Sequence, residues 1–167
     1  MTKRPLTLTG LAAAAIALAL TTAAARTTTS TPTSSATGMA ASIAKKPTIT
    51  VYKDPNCGCC KNWIAYLEKH GYPVDVKDSP NMTEIKRSLG VPEALTACHT
   101  AVVNGYLIEG HVSAEDIDRL LAQKPTVAGL AVPGMPMGSP GMGEPTGRHY
   151  QVLSFDKVGK TKVFATH

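Results

Sequence analysis

The chain lacks the charge pattern of a nucleic-acid-binding protein. Its 17 basic and 12 acidic residues leave a formal net charge of +5, and the lysines are scattered without any block of like charge. Aromatic residues make up only 5% of the chain and form no ladder among the basic residues. Nucleic-acid-binding surfaces concentrate Lys and Arg on one face and often interleave aromatic side chains. We therefore expect no nucleic-acid partner.

The chain also lacks an apolar run long enough for a conventional membrane span. The N-terminal run "LAAAAIALAL", residues 11–20, is mostly alanine and is shorter than the roughly 20 residues that a spanning helix needs. Lys3 and Arg4 precede it and small residues at 23–25 follow it, which is the pattern of a secretory signal peptide. We expect residues 1–25 to be cleaved and the protein to be periplasmic or otherwise exported, with no stable membrane span after cleavage. The alternative is that this segment stays attached as an anchor.

The next segment, residues 26–45, has almost no residues that could build a core. It is mostly Thr, Ser and Ala, a composition of low hydrophobicity that does not bury enough apolar surface to fold. We interpret it as a flexible linker. Residues 46–167 then form one domain, which is long enough to have a core of its own.

Apolar periodicity in residues 46–167 predicts an α/β domain. The predicted order is β-α-β-α-β-β-α with an additional C-terminal hairpin, which is the plan of a thioredoxin-like fold. Ile85 and Leu89 are expected to face the core from the second helix, and Glu109 is expected at the surface. The predicted elements are a strand at 48–52, a helix from Cys59 or Cys60 to Gly71, a strand at 72–78, a helix capped by Asn81 with Glu84 in a capping box and ended by Gly90, a hairpin turning at Asn104-Gly105, a helix capped by Ser113, a Gly/Pro/Met-rich loop at 129–147, and a final hairpin within 149–166.

The chain has only four cysteines, and three of them stand within four positions of each other in "CGCC". Cys57 and Cys60 form a C-x-x-C pair at the predicted start of the first helix, where the partial positive charge of the helix end lowers thiol pKa values. A simple disulfide exchanger needs two cysteines, and Cys59 is a third. A soft metal ion would use all of these sulfurs without the strain of a disulfide between adjacent cysteines.

The fourth cysteine, Cys98, lies just before the first strand of the predicted hairpin. In a thioredoxin-like plan this loop approaches the redox motif from the side, so we expect Cys98 to join Cys57, Cys59 and Cys60. Four thiolates suit Cu(I), zinc or an iron–sulfur cluster. The crowded spacing argues mildly against zinc, whose structural sites usually draw on two separated pairs. Two inert disulfides remain the alternative in an oxidising compartment.

Five further residues are secondary candidates for the metal site. His99 follows Cys98 directly and could be a ligand, an orienting donor, a proton carrier or an ordinary loop residue. His111 follows the hairpin and could lie on the same side. Met135, Met137 and Met142 carry thioether sulfurs, which suit Cu(I), although methionines can also simply cover the domain. His70, at a helix end, is expected to be a helix-terminal residue rather than a ligand.

A second function remains open from these residues alone. Cys57 could act as the nucleophile and Cys60 as the resolving thiol of a thiol–disulfide oxidoreductase. Cys59 distinguishes the two hypotheses, because simple exchange does not need it and a metal site does. A copper chaperone or copper store without turnover is a third interpretation.

Three motifs in order, "CGCCKNW", "ACHTAVVNGYLIEGHV" and "GLAVPGMPMGSPGM", resemble the family known as domain of unknown function 411. The resemblance covers roughly residues 47–155, and it departs from the family pattern in having Ala97 where serine is expected. It implies a thioredoxin-like fold and a copper site of Cys57, Cys59, Cys60 and Cys98 that holds a multinuclear Cu(I)–thiolate cluster. It also implies an oxidoreductase role between Cu(I) and Cu(II) in bacterial copper resistance. The expected partners are copper ions and periplasmic copper-handling or electron-transfer proteins.

Overall fold

Seven β-strands in one mixed sheet organise the part of the chain that the structure describes. The computed structural model describes residues 45–144, 147 and 149–167, so the predicted signal peptide and nearly all of the predicted linker lie outside the described residues. The elements are β1 (Ile49–Lys53), α1 (Gly58–Lys69), β2 (Val74–Asp78), α2 (Met82–Leu89), a 3₁₀ turn (Glu93–Leu95), β3 (His99–Val103), β4 (Tyr106–Glu109), α3 (Ala114–Gln123), β5 (Gly129–Ala131), β6 (Gln151–Phe155) and β7 (Thr161–Thr166).

The strand order across the sheet is β2-β1-β3-β4-β5-β6-β7. β1 is parallel to β2 and antiparallel to β3. β3 and β4 form an antiparallel hairpin, and β6 and β7 form a second one. The left-handed backbone at Asn104 and Gly105 confirms the predicted two-residue turn, because both residues have φ above zero. The predicted mixed α/β class, the order of the helices and strands from β1 to α3 and the C-terminal hairpin are confirmed.

Helix α1 begins at Gly58, one or two residues before the predicted start. Its N-cap is Cys57, whose Sγ accepts a hydrogen bond from the Cys60 N–H at 3.3 Å. Trp63 and Leu67, one turn apart, are fully buried against the sheet. This apolar stripe holds the N-terminal end of the helix over the carboxyl end of β1.

Helix α2 has the predicted N-cap residue and the predicted end, but a different buried face. The capping box is only half formed, because the Asn81 N–H donates to Ser79 Oγ while the Glu84 carboxylate pairs with Arg87. Asn81 accepts the Glu84 N–H at 3.3 Å, and Gly90 ends the helix in the left-handed conformation. The prediction that Ile85 and Leu89 form the inward face is only partly right, since both are half-buried while Lys86 is buried. The reason is a buried acidic partner for this lysine, described below.

The prediction of a loop over the whole of 129–147 is wrong at its start. Gly129–Ala131 form strand β5, which pairs with β4 in parallel and with β6 in antiparallel. A Cβ atom at Gly129 would lie 2.0 Å from the Leu107 carbonyl oxygen, so glycine is what permits this close pairing. Three residues are too few to show a period of two, which is why the pattern alone does not reveal the strand.

The core lies on both faces of the sheet. Helices α1 and α3 cover one face, where Trp63, Leu67, Ile117 and Leu120 pack with inward residues of the central strands. A smaller cluster on the other face consists of Val91, Leu95, Leu107, Ala131 and Phe155. Among the residues that the structure describes, no helix has both the length and the apolar character needed to cross a membrane.

Candidate metal centre

The four cysteines come together at the N-terminal end of α1. Cys57, Cys59 and Cys60 occupy its cap and first turn, and Cys98 approaches from the segment before β3, so that the four Sγ atoms all lie within 4.8 Å of one another. The Cys57 and Cys59 sulfurs are 3.6 Å apart, and those of Cys59 and Cys98 are 3.8 Å apart. Cys98 therefore lies beside the other three cysteines, as expected from the sequence.

Two of these sulfurs are joined to each other. Cys57 and Cys60 form a disulfide with a Cα–Cα distance of 5.4 Å, while Cys59 and Cys98 are thiols. Disulfide sulfurs are poor metal ligands compared with thiolates. The described state is therefore the oxidised form of this pair, and a site with four thiolates requires its reduction.

The helix end provides an electrostatic environment that favours thiolate. The first turn of α1 carries no acidic side chain, and the backbone N–H groups at a helix start have no acceptor within the helix. The Cys60 N–H already donates to the Cys57 sulfur. Negative charge on these sulfurs is thus stabilised by the helix itself, for metal binding and for thiol exchange alike.

Cys98 lies in a different environment. Its Sγ is 3.2 Å from His99 Nδ1 and 3.1 Å from His111 Nε2. Burial raises the pKa of the Cys98 thiol to about 12, with the charge of Cys59 and the hydrogen bond to it adding to the effect. In the metal-free protein Cys98 is therefore a protonated thiol at neutral pH, and a metal ion must displace that proton to bind.

His111 is fully buried and its tautomer follows from its partners. Its Nδ1 lies 2.7 Å from the Pro140 carbonyl oxygen, which can only accept a hydrogen bond, so Nδ1 carries the proton. Burial lowers the pKa of the His111 imidazole, which keeps the ring neutral. The lone pair of Nε2 therefore faces Cys98 and is available to a thiol proton or a metal ion.

His99 is also fully buried, as the first residue of β3. Its ring lies 4.3 Å from the Trp63 ring and 5.0 Å from the His111 ring, measured between centroids. Burial lowers the pKa of His99 well below its usual value, and the neighbouring His111 and Lys86 lower it further. Its Nε2 has no hydrogen-bond partner among the described residues. Cys98, His99 and His111 thus form a second group of potential ligands that shares Cys98 with the first.

The Gly/Pro/Met-rich loop reaches the site through its backbone. Besides the hydrogen bond from His111 to Pro140, the Gly141 carbonyl lies 3.5 Å from Asn62 Nδ2. A Cβ atom at Gly141 would be 2.7 Å from the backbone nitrogen of Trp63. The loop is therefore packed against the first turns of α1.

The three methionines of this loop differ in exposure. Met135 and Met137 are exposed, and Met142 is half-buried. The hydrogen bonds from this loop to the site are made by the Pro140 and Gly141 carbonyls, to His111 and Asn62, so a ligand role for the methionine sulfurs stays a prediction.

A buried polar cluster of Glu109, Lys86 and Thr100 lies next to the segment that carries Cys98, and the sequence analysis did not predict it. Glu109, predicted at the surface, is fully buried at the end of β4, where it is paired across the hairpin with Thr100. Its carboxylate is 2.5 Å from Lys86 Nζ, 2.5 Å from the Thr100 hydroxyl and 2.6 Å from the Ala97 nitrogen. Strand alternation alone does not reveal it, because both faces of this central strand are covered.

The remaining histidines lie outside the cysteine cluster. His70 ends α1 and its Nδ1 is 2.7 Å from the Tyr66 carbonyl, so the expected helix-terminal role is confirmed. His167 Nε2 lies 2.7 Å from the Asp116 carboxylate, a hydrogen bond for which the sequence has no local signal.

Comparisons with known proteins place the chain beside a copper protein. The family model described as "Protein of unknown function, DUF411" matches residues 95–142, a span that includes Cys98, His99, His111 and the three methionines of the loop. Two solved structures, form 1 and form 2 of copper resistance protein CopG, match with 44% sequence identity and a TM-score of 0.67. Each match covers 73% of this chain and 98% of the solved chain. No curated protein sequence matches.

Proposed function

The chain belongs to the family of copper resistance protein CopG, and we propose from this premise that it is an exported protein that holds Cu(I) between Cys57, Cys59, Cys60 and Cys98. One observation carries the proposal. Four sulfurs from two segments lie within 4.8 Å of one another, although Cys59 and Cys98 are 39 positions apart in the sequence. The stability of the fold does not require four sulfurs here, because a single disulfide would already cross-link this part of the domain.

The spacing of the sulfurs fits ligands of a shared metal ion. With metal–sulfur bonds of about 2.3 Å, two ligands of a tetrahedral ion lie about 3.8 Å apart. The pairs Cys57–Cys59 and Cys59–Cys98 are separated by 3.6 and 3.8 Å. Soft thiolates select Cu(I) and zinc alike, so geometry supports a soft metal and the family relationship favours copper.

The residues around the sulfurs would protect and tune a bound ion. The carbonyls of Pro140 and Gly141 hold the loop beside the site, and the neutral rings of His99 and His111 add nitrogen donors without adding charge. Bound copper would supply a one-electron couple, which supports a role as a Cu(I)/Cu(II) oxidoreductase in copper resistance. The loop methionines would serve copper entry or transfer.

We interpret the order of the first four strands as that of a thioredoxin-like domain, following a signal peptide at 1–25 and a linker at 26–45.

An anaerobic Cu(I) titration of the fully reduced protein tests this function. We expect tight binding of more than one copper per chain, with thiolate-to-copper absorption in the ultraviolet. The Cys98→Ser variant should bind less copper and bind it much more weakly. Weak binding that does not depend on Cys98 would contradict the proposal. A protein that binds copper tightly but does not accelerate interconversion of Cu(I) and Cu(II) would be a store or chaperone rather than an oxidoreductase.

The disulfide at the start of α1 favours a second candidate, a thiol–disulfide oxidoreductase. In its reduced form, the Cys57 thiolate would attack a substrate disulfide, and Cys60 would then displace the reduced substrate and form the disulfide that the structure contains. Cys59→Ser separates the two functions. Exchange with glutathione disulfide should survive this change if the second candidate is right, whereas copper binding should not survive it if the first is right.

A further inference from the structure

We propose that Glu109, together with Lys86 and Thr100, is a positioning device that fixes Cys98 beside the sulfurs of helix α1. This inference rests on the proposed function of the cysteine site and adds residues that hold one of its ligands in place. Glu109 does not touch the sulfurs; it acts through the backbone of Ala97, the residue directly before Cys98.

The segment that carries Cys98 is irregular, and its fixation is tertiary. Between the 3₁₀ turn and β3, the Ala97 N–H donates to the Glu109 carboxylate at 2.6 Å. On the other side of Cys98, the His99 carbonyl accepts the Gly110 N–H at 3.1 Å. Two successive residues at the end of β4, Glu109 and Gly110, thus hold the chain immediately before and immediately after Cys98.

Every side chain of the polar cluster has hydrogen-bond partners, which offset the cost of burying the Glu109 carboxylate. Glu109 is 0% exposed and Lys86 6% exposed. Lys86 donates to Glu109 and to the Thr100 hydroxyl at 2.9 Å, and that hydroxyl donates in turn to the second carboxylate oxygen. Each group therefore has partners of the right kind.

Stability alone does not account for this arrangement. Replacing a buried ion pair by apolar residues of similar volume is often neutral or stabilising. What an apolar pair could not supply is a directed acceptor for the Ala97 N–H. A hydrocarbon side chain could not accept this hydrogen bond. The carboxylate therefore fixes the backbone at Ala97 and, with it, the direction of the Cys98 side chain.

The test measures the position of Cys98 without any metal. In a Cys57→Ser/Cys60→Ser background of the full chain, only Cys59 and Cys98 remain as thiols. Equilibration with glutathione converts two protein thiols and one oxidised glutathione into the Cys59–Cys98 disulfide and two reduced glutathiones. The equilibrium constant reports the effective concentration of one thiol at the other, and this concentration depends on how well Cys98 is held near Cys59.

Two matched double variants separate charge from positioning. Lys86→Met/Glu109→Gln removes both charges but leaves an amide oxygen that can accept the Ala97 N–H, whereas Lys86→Met/Glu109→Leu also removes the acceptor. We expect the Leu variant to lower the effective concentration about tenfold, the size of one lost hydrogen bond to a buried group. The Gln variant should stay within about threefold of the background. Circular dichroism and thermal unfolding check that each variant is folded.

Glu109→Asp keeps the proposal testable if the Leu variant does not fold. It retains the ion pair but shortens the side chain by one methylene, so the carboxylate no longer reaches Ala97 in the same geometry. We expect an effective concentration between those of the Gln and Leu variants. A folded Leu variant with the equilibrium constant of the background would overturn the positioning role, as would an unfolded Leu variant combined with an unchanged Asp variant.

Copper then links positioning to function. In the protein with all four cysteines, the Leu variant should bind Cu(I) about tenfold more weakly than the wild type, and the Gln variant should stay within about threefold of it. A wild-type Cu(I) affinity in the Leu variant would contradict the role of Glu109 at the copper site. If the wild type itself binds no copper, the proposed function fails, and the glutathione measurement still decides the positioning role independently.

Discussion

The two sides of the cysteine site are held by different kinds of structure. On the helix side, Cys57, Cys59 and Cys60 belong to the cap and first turn of α1, where local hydrogen bonds fix the backbone. On the opposite side, Cys98 lies in an irregular segment and depends on Glu109 and Gly110, which are distant in sequence. The helix side is thus built locally, and the Cys98 side is built by the tertiary fold.

This contrast predicts different sensitivities. Changes on the helix side should alter the chemistry of the sulfurs while leaving the fold intact, because a short helix cap tolerates several polar residues. Changes on the Cys98 side should displace a ligand, because nothing local restores its position. The following predictions test the contrast, from the largest expected effect to the smallest.

Oxidation state should have the largest effect. When Cys57 and Cys60 form their disulfide, two of the four sulfurs are not thiolates, so we expect the oxidised protein to bind Cu(I) at least about 100-fold more weakly than the reduced protein. Competition with a Cu(I) chelator measures both affinities. Equal affinities would mean that Cys59, Cys98 and the histidines suffice, and that Cys57 and Cys60 are not part of the copper site.

His111 should matter next, because it links Cys98 to the loop through both ring nitrogens. We expect His111→Ala to weaken Cu(I) binding about tenfold, the low end of the range seen when a group next to a metal ligand is removed. His149→Ala is the matched control, since that ring is exposed and its Nδ1 contacts only the His167 carbonyl among the described contacts. An equal effect of the two variants would indicate that His111 has no specific role at Cys98.

The same contrast explains what could be predicted from the sequence. The caps at Asn81 and Ser113, the Asn104-Gly105 turn and the C-x-x-C pair are local signals, and each lies where it was expected. The expected approach of Cys98 to these sulfurs depended on the order of the elements, because that order determines which loop faces the end of β1.

Other features are not visible in any local pattern. Glu109 and Lys86 are charged residues whose burial depends on finding each other across 23 positions of sequence. Strand β5 is three residues long, and its pairing depends on a glycine that lets the chains approach. Such features follow from tertiary contacts, which is why the expectations of a surface Glu109 and of an uninterrupted loop from 129 were wrong.

The loop that covers the site offers a test of intermediate size. Gly141 has φ +85°, and a Cβ atom there would lie 2.7 Å from the backbone nitrogen of Trp63, whereas Gly134 has φ +74° with open space around it. Both Gly→Ala changes introduce backbone strain of about 1 kcal/mol, but only Gly141→Ala should also push the loop away from α1. We expect a lower melting temperature in both variants and a faster loss of bound Cu(I) only in Gly141→Ala. A similar copper release rate in both would mean that the loop does not shield the site.

The smallest effect should come from the cap of the helix itself. Cys57 accepts the Cys60 N–H as the N-cap of α1, and serine is among the preferred residues for this role. Under reducing conditions, Cys57→Ser should therefore change the free energy of unfolding by no more than about 0.5 kcal/mol, whereas Cys57→Ala should lower it by about 1 kcal/mol. Both variants should lose Cu(I) affinity to the same degree, because each removes one thiolate. Urea unfolding and a chelator competition on the same two proteins separate the effects. Equal stability of the Ser and Ala variants would show that the cap bond contributes nothing, and the helix side would then also depend on tertiary contacts.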